Sequence, residues 1–208
     1  MQFVADPTEI ETKSFEMISD LLGAREFDPQ NLNVIKRVIH TSADFDYADN
    51  LVFSENAVKI AKSLLSKGAS IVTDTQMGKS GINKSAAAQL GCEIHCFIDS
   101  AEVAETAKAN RQTRARTAVD KAFETLSRPI IFAVGNAPTA LIRLHELVTE
   151  KVYQPDLIIA VPVGFINVIE SKELILELDV PHIVAKGRKG GSNIAAAICN
   201  ALMYDLVR

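Results

Sequence analysis

The chain lacks an excess of positive charge, a long apolar run and a dense set of cysteines, and each absence removes a class of protein. Its 22 Lys plus Arg are outnumbered by 26 Asp plus Glu, for a net charge of −4. Duplex nucleic acids are gripped mainly by neutralising phosphates, so no nucleic-acid partner is expected. A polyanionic small molecule needs only a few local cations and stays admissible. The longest apolar runs, such as Leu157 to Val163, fall far short of the roughly 20 residues that span a bilayer. The opening MQFVADPTEIETK has neither the basic start nor the apolar core of a secretory signal. No membrane partner is therefore expected. Three cysteines, an odd number, suit a reducing compartment, and cytoplasmic residence is the expectation.

Signatures of common cofactors are missing as well. Gly78-Lys79-Ser80 would close a phosphate loop only with a glycine five positions before Gly78, where Thr73 stands. No G-x-G-x-x-G follows a strand-like run, and no G-x-S-x-G marks a nucleophile elbow. Asp44, Asp46 and Glu55 take the spacing of a calcium loop, but Asp49 occupies the position that needs glycine, which leaves a solvated acidic loop. Cys92, His95 and Cys96 have no second ligand pair at zinc spacing. The expectation is no metal site and no cofactor.

What is present suits one globular domain over residues 1–208, with 48% hydrophobic and 23% charged residues. Six short Ile/Val-rich runs read as strands: 36–41, 69–74, 93–98, 129–134, 157–163 and 182–186. They are apolar at consecutive positions, as in strands buried on both faces. Helix-period segments lie at 7–22, 54–66 (capped by Ser54), 83–90, 112–126, 139–148, 168–178 and 192–206. The alternation predicts an α/β fold: a single, mainly parallel, doubly wound sheet of five to six strands with helices on both faces.

Ligands of such sheets sit beyond the carboxyl ends of the strands. Those positions carry His40-Thr41-Ser42, Thr73-Asp74-Thr75, Gly135-Asn136-Ala137-Pro138, Gly164-Phe165 and Gly187-Arg188-Lys189-Gly190-Gly191-Ser192. His40, at a predicted strand end, is either a proton-transfer group or a histidine merely hydrogen-bonded there. The glycine-rich stretch 187–192 precedes a helix and brings two cations. It reads as an anion site built on backbone N–H groups, against the alternative of a surface turn. Arg114 and Arg116 add two cations near a helix start, where they either clamp carboxylates or lie on a solvated face.

In order along the chain, several stretches resemble the precorrin-8X and cobalt-precorrin-8 methylmutases of cobalamin biosynthesis. They are Glu9 to Phe15, Val38 to Phe45, Thr73 to Met77, Gly135 to Leu141, Val163 to Phe165, Glu170 to Lys172 and Gly187 to Ser192. The resemblance covers nearly the whole chain. It implies an isomerase that moves a methyl group within a corrinoid from C11 to C12, giving hydrogenobyrinate or cobyrinate. No separate donor is needed, and any cobalt is carried by the substrate. It implies that His40 is the catalytic general acid. It also implies that Arg114, Arg116, Lys172, Arg188 and Lys189 hold the carboxylates of the substrate, with Arg114 a better match than Arg116. Ser14, Thr41, Thr73, Asp74, Met77, Asn136 and Gly164 would orient the ring, together with the backbone of Gly187, Gly190, Gly191 and Ser192. Homodimers, with neighbouring pathway enzymes as further partners, follow from the same resemblance. Asn193 stands where the family pattern has proline. The competing readings are a non-catalytic corrinoid carrier and a nucleotide-dependent α/β enzyme using the 187–192 loop.

Overall fold

The computed structural model describes residues 4–127 and 129–207. In chain order, α1 (Pro7–Leu22), α2 (Pro29–Ser42) and α3 (Tyr47–Asn50) precede β1 (Leu51–Phe53). Next come α4 (Ala57–Ser66), β2 (Ser70–Thr73), α5 (Gln76–Gly81), α6 (Lys84–Gln89) and β3 (Glu93–His95). The helices α7 (Ala101–Ala109) and α8 (Arg114–Thr125) lead to β4 (Ile130–Val134), then α9 (Pro138–Thr149) and β5 (Leu157–Ala160). The chain closes with α10 (Val168–Leu176), β6 (His182–Ala185) and α11 (Ser192–Val207).

The six strands form one sheet in the order β1-β6-β5-β4-β2-β3, parallel except for the antiparallel edge strand β1. Successive side chains on a strand point to opposite faces, and both faces are buried. Ile71, Ile131, Leu157, Ile159 and Ile183 pack with α1, α2, α4 and α11 on one side. Val72, Ile130, Phe132, Val134, Ile158 and Val184 pack with α8, α9 and α10 on the other. This double burial explains why β4 and β5 read as unbroken apolar runs and β2 and β6 as nearly so.

One expected strand is a helix. Residues 36–41 lie in α2, so His40 sits in the last turn of a helix and not at a strand end. Val34, Ile35, Val38 and Ile39 recur at helical spacing and are buried, largely against α11. Asp28 caps the first turn by accepting a hydrogen bond from the Gln30 N–H, and Pro29 fits the first helical position. The expected cap of α4 is also different. Ser54 Oγ instead accepts from the His182 N–H, tying β1 to β6, and α4 begins at Ala57.

Candidate active site at the carboxyl ends of the strands

The chain runs outward from β2 to β3 and then returns to place β4 on the other side of β2. A crevice opens where the order reverses, between the ends of β2 and β4. Asp74 follows β2 there. Its Oδ1 accepts from the Gly135 N–H at 2.9 Å, and its Oδ2 accepts from the N–H groups of Asn136 and Ala137 at 2.8 and 2.6 Å. Burial pushes the Asp74 carboxyl above its ordinary range, while the three N–H groups pull it back. Asp74 therefore shapes the loop entering α9, whose own capping residue, Ala137, offers no side-chain acceptor. Replacing Asp74 with Asn keeps the shape but surrenders the charge and one acceptor. Chemical denaturation is expected to show a loss of about 2 kcal/mol, and an unchanged midpoint would contradict this role.

The loop 187–192 is seated against the same crevice. Ser192 Oγ and Thr75 Oγ1 are hydrogen-bonded at 2.7 Å, and the Gly191 N–H donates to Val161 O at 2.9 Å. A Cβ on Gly135 would come within 2.6 Å of the Ser192 Cα, so glycine is required for this close approach. Lys172, 1% exposed, donates to Gly187 O at 2.7 Å and Lys189 O at 2.9 Å. Its ammonium is spent on backbone carbonyls, and burial lowers it to about 8. The structure thus places Lys172 beneath the loop and not on a surface open to carboxylates.

His40 is exposed, and its ring stacks on Phe15 with centroids 5.3 Å apart. Its helix ends beside the loop 187–192 because Lys189 Nζ lies 2.6 Å from both Asp44 Oδ2 and Asp46 Oδ2. The Asp44 carboxyl is held below its ordinary range by Lys189. Lys186 N–H adds a backbone bond to Asn50 O at 2.8 Å. These contacts pin the carboxyl end of α2 to the carboxyl end of β6. They also engage Lys189, expected to hold a substrate carboxylate, in an ion pair with Asp44 and Asp46 instead. The acidic pair that binds it is 145 and 143 residues away in sequence, so no local signal announces it.

Arg114 and Arg116 part company. Thr113 donates to Thr139 Oγ1 at 2.8 Å, which sets the start of α8 beside the start of α9 at the strand-end edge. Arg114 is exposed there, next in the chain to Thr113. Arg116 instead makes a paired contact with Glu146, which Arg143 also holds at 3.0 Å. Glu146 is accordingly below the ordinary carboxylate range, chiefly through Arg116. Arg188 is exposed, with its carbonyl accepting from the Gly164 N–H at 3.2 Å. Ser14 Oγ donates back to Ile10 O, Thr41 and Asn136 are exposed, and Thr73 Oγ1 donates to Thr75 O.

Met77 is expected to orient the ring and Val163 to Phe165 to lie near the site, but their exposure as apolar groups is not evident from the sequence. Met77, Val163, Phe165 and Ile166 are apolar yet 72%, 47%, 81% and 79% exposed, all just beyond strand ends. Exposed apolar residues grouped beside polar loops mark a binding surface.

Comparison with known proteins agrees with this geometry. The family model described as precorrin-8X methylmutase matches residues 9–205. The chain is 42% identical over 202 residues to the cobalt-precorrin-8 methylmutase of Leptospira interrogans, covering 93% of this chain and 91% of that one. It is also 42% identical over 213 residues to the cobalt-precorrin-8 methylmutase of Salmonella typhimurium, covering 99% of each. Among solved structures, the precorrin-8x methyl mutase of Thermus thermophilus superposes with a TM-score of 0.87 at 37% identity, covering 95% of both chains.

Proposed function

This chain belongs to the precorrin-8X methylmutase family and is an intramolecular methyl-transferring isomerase, and we propose that it moves a methyl group from C11 to the adjacent C12 of cobalt-precorrin-8. The observation that supports the choice of ligand is the pairing of exposed apolar residues with cations and N–H donors at one sheet edge. Met77, Val163, Phe165 and Ile166 suit the apolar body of a flat ring. Arg114, Arg188 and the loop 187–192 suit its peripheral carboxylates. The cobalt form is preferred because both curated relatives above carry it in their names, and the metal arrives with the substrate. No separate cofactor takes part in this reading.

His40 is proposed as the general acid. Protonating the macrocycle makes it more electron-demanding and favours a [1,5] shift of the methyl group, after which the proton returns to the imidazole. The pinned end of α2 holds His40 in one place relative to the anion-binding loop, so positioning supplies much of the rate.

The test is the visible spectrum of cobalt-precorrin-8, and separately of metal-free precorrin-8, mixed with the protein. Moving the methyl changes the ring's conjugation, so turnover shifts the absorption. Binding without any shift would favour a carrier, and stabilisation by nucleotides but not corrinoids would favour a nucleotide enzyme. We assign the work to the cytoplasm, where the Cys96 and Cys199 thiols stay reduced.

A homodimer belongs to the same reading. Ile10, Met17 and Leu21 are 45%, 64% and 64% exposed, and their spacing sets them on one face of α1. A second copy covering that face would hide an otherwise wet apolar stripe. Gel filtration is expected to show a dimer for the wild type and a monomer for Met17→Glu/Leu21→Glu. An unchanged dimer in the double variant would move the interface elsewhere.

A further inference from the structure

Lys172 forms no ion pair with a carboxylate among the described residues, yet it is almost fully buried, with its ammonium bonded to backbone carbonyls. Its three donors are the part of α10 that reaches the loop 187–192, and two of them are used on Gly187 O and Lys189 O. In a trans peptide the C=O and the N–H point in opposite directions. No described peptide bond is cis. Drawing the carbonyls of Gly187 and Lys189 inward therefore turns the N–H groups of Arg188 and Gly190 outward. Neither of these N–H groups has a protein acceptor among the described residues, whereas the flanking Gly191 N–H is taken by Val161 O.

We propose that Lys172 is a positioning residue that builds a two-donor seat, the N–H groups of Arg188 and Gly190, for one peripheral carboxylate of the corrinoid. This rests on the methylmutase reading above. Lys172 itself does not touch the ligand. It fixes the direction of two peptide units, and the glycine at 190 lets the loop seat directly against the backbone of Val161 and Pro162. The arrangement explains a lysine held away from water without a counter-ion: a methionine of similar length would fill the volume but leave both carbonyls free to rotate.

The experiment compares wild type, Lys172→Met and Lys172→Arg in three measurements: steady-state kinetics, calorimetric titration with cobyrinate, and amide exchange of residues 187–191. For Lys172→Met, KM is expected to rise and cobyrinate affinity to fall about tenfold, with kcat within about twofold of wild type. Exchange at 187–191 should quicken while that of α11 stays slow. Lys172→Arg keeps paired donors and should restore much of the affinity. Should Lys172→Met fail to fold, the Arg variant carries the test, and wild-type affinity with slow loop exchange is the supporting result. Unchanged KM and cobyrinate affinity in folded Lys172→Met would overturn the proposal. So would a fall in kcat alone. Absence of turnover by the wild type would instead sink the methylmutase reading, while the exchange data would still report whether Lys172 orders the loop.

Discussion

His40→Ala is expected to lose turnover of cobalt-precorrin-8 by roughly a hundredfold to ten-thousandfold, the usual contribution of a general acid. That corresponds to about 3–5 kcal/mol of barrier. The same variant should fold normally. The His40 side chain is exposed, and its one described ring contact is the stack on Phe15. Losing such a stack costs about 1 kcal/mol. A large kinetic effect with a small stability effect is the signature of a group spent on the reaction. If the proton is delivered only as the methyl migrates, kcat and kcat/KM should fall together, because the interaction is absent from the ground state. The measurement is the single-turnover rate of the absorption change, with cobyrinate affinity as the control. Undiminished turnover in the variant would remove His40 from the chemistry and leave the mutase without its acid. Equal losses in turnover and cobyrinate binding would make His40 a binding residue.

How far the fold was legible depended on whether each element's pattern was local. Strands β2, β4, β5 and β6 stood out because both faces of a parallel sheet are buried, so their runs are mostly apolar at consecutive positions, whereas β3, an edge strand of Glu93, Ile94 and His95, is only partly buried. The error at 36–41 has the same origin. Val38-Ile39 is an apolar pair in a six-residue window, and only the earlier pair Val34-Ile35, four residues back, reveals the helical repeat. Strand β1, three residues at an edge, is too short to show any pattern. The short helices α3 and α5 give no more than one turn or so of signal. α7, with Val103 and Ala107 its buried residues, has a weak apolar face.

The site was legible through topology more than through side-chain chemistry. The rule that ligands lie past the carboxyl ends of strands picked out Asp74, Gly135 and the loop 187–192, which the structure brings together. What the rule could not see is which charged groups face inward. Lys172 lies between Ser171 and Glu173 in a sequence that reads as a polar helix face, yet it is the one turned under the loop. Lys189 and Arg116 looked equally available as cations, and both are taken by acids far away in sequence. Long-range pairing sorts a cluster of like charges into structural and exposed members, and only the folded chain displays that sorting.

The loop's backbone offers the most direct way to separate site geometry from site charge. A Cβ added to Gly190 would lie 2.1 Å from Val161 O and 2.8 Å from Pro162 O. Both obstacles are backbone, and Val161 is itself fixed: its N–H donates to Val134 O and its carbonyl accepts from Gly191. The strand end cannot give way without breaking the junction between β4, β5 and the loop. Gly190→Ala is therefore expected to cost about 3 kcal/mol, at the upper end of overpacking penalties. In a domain of this size that lowers the melting temperature by about 10 °C. Gly187→Ala is the matched control. Gly187 has φ +76°, unfavourable for alanine, but nothing lies within 4 Å of an added Cβ. Its cost should be about 1–2 kcal/mol, from backbone strain alone. Activity is expected to follow the same order, because displacing residue 190 moves the Gly190 N–H, Lys189 and, through Asp44, the end of the helix that bears His40. If the two alanine variants melt and turn over alike, close packing of the loop on β5 is not what holds the site together, and the loop's charges must carry that role instead.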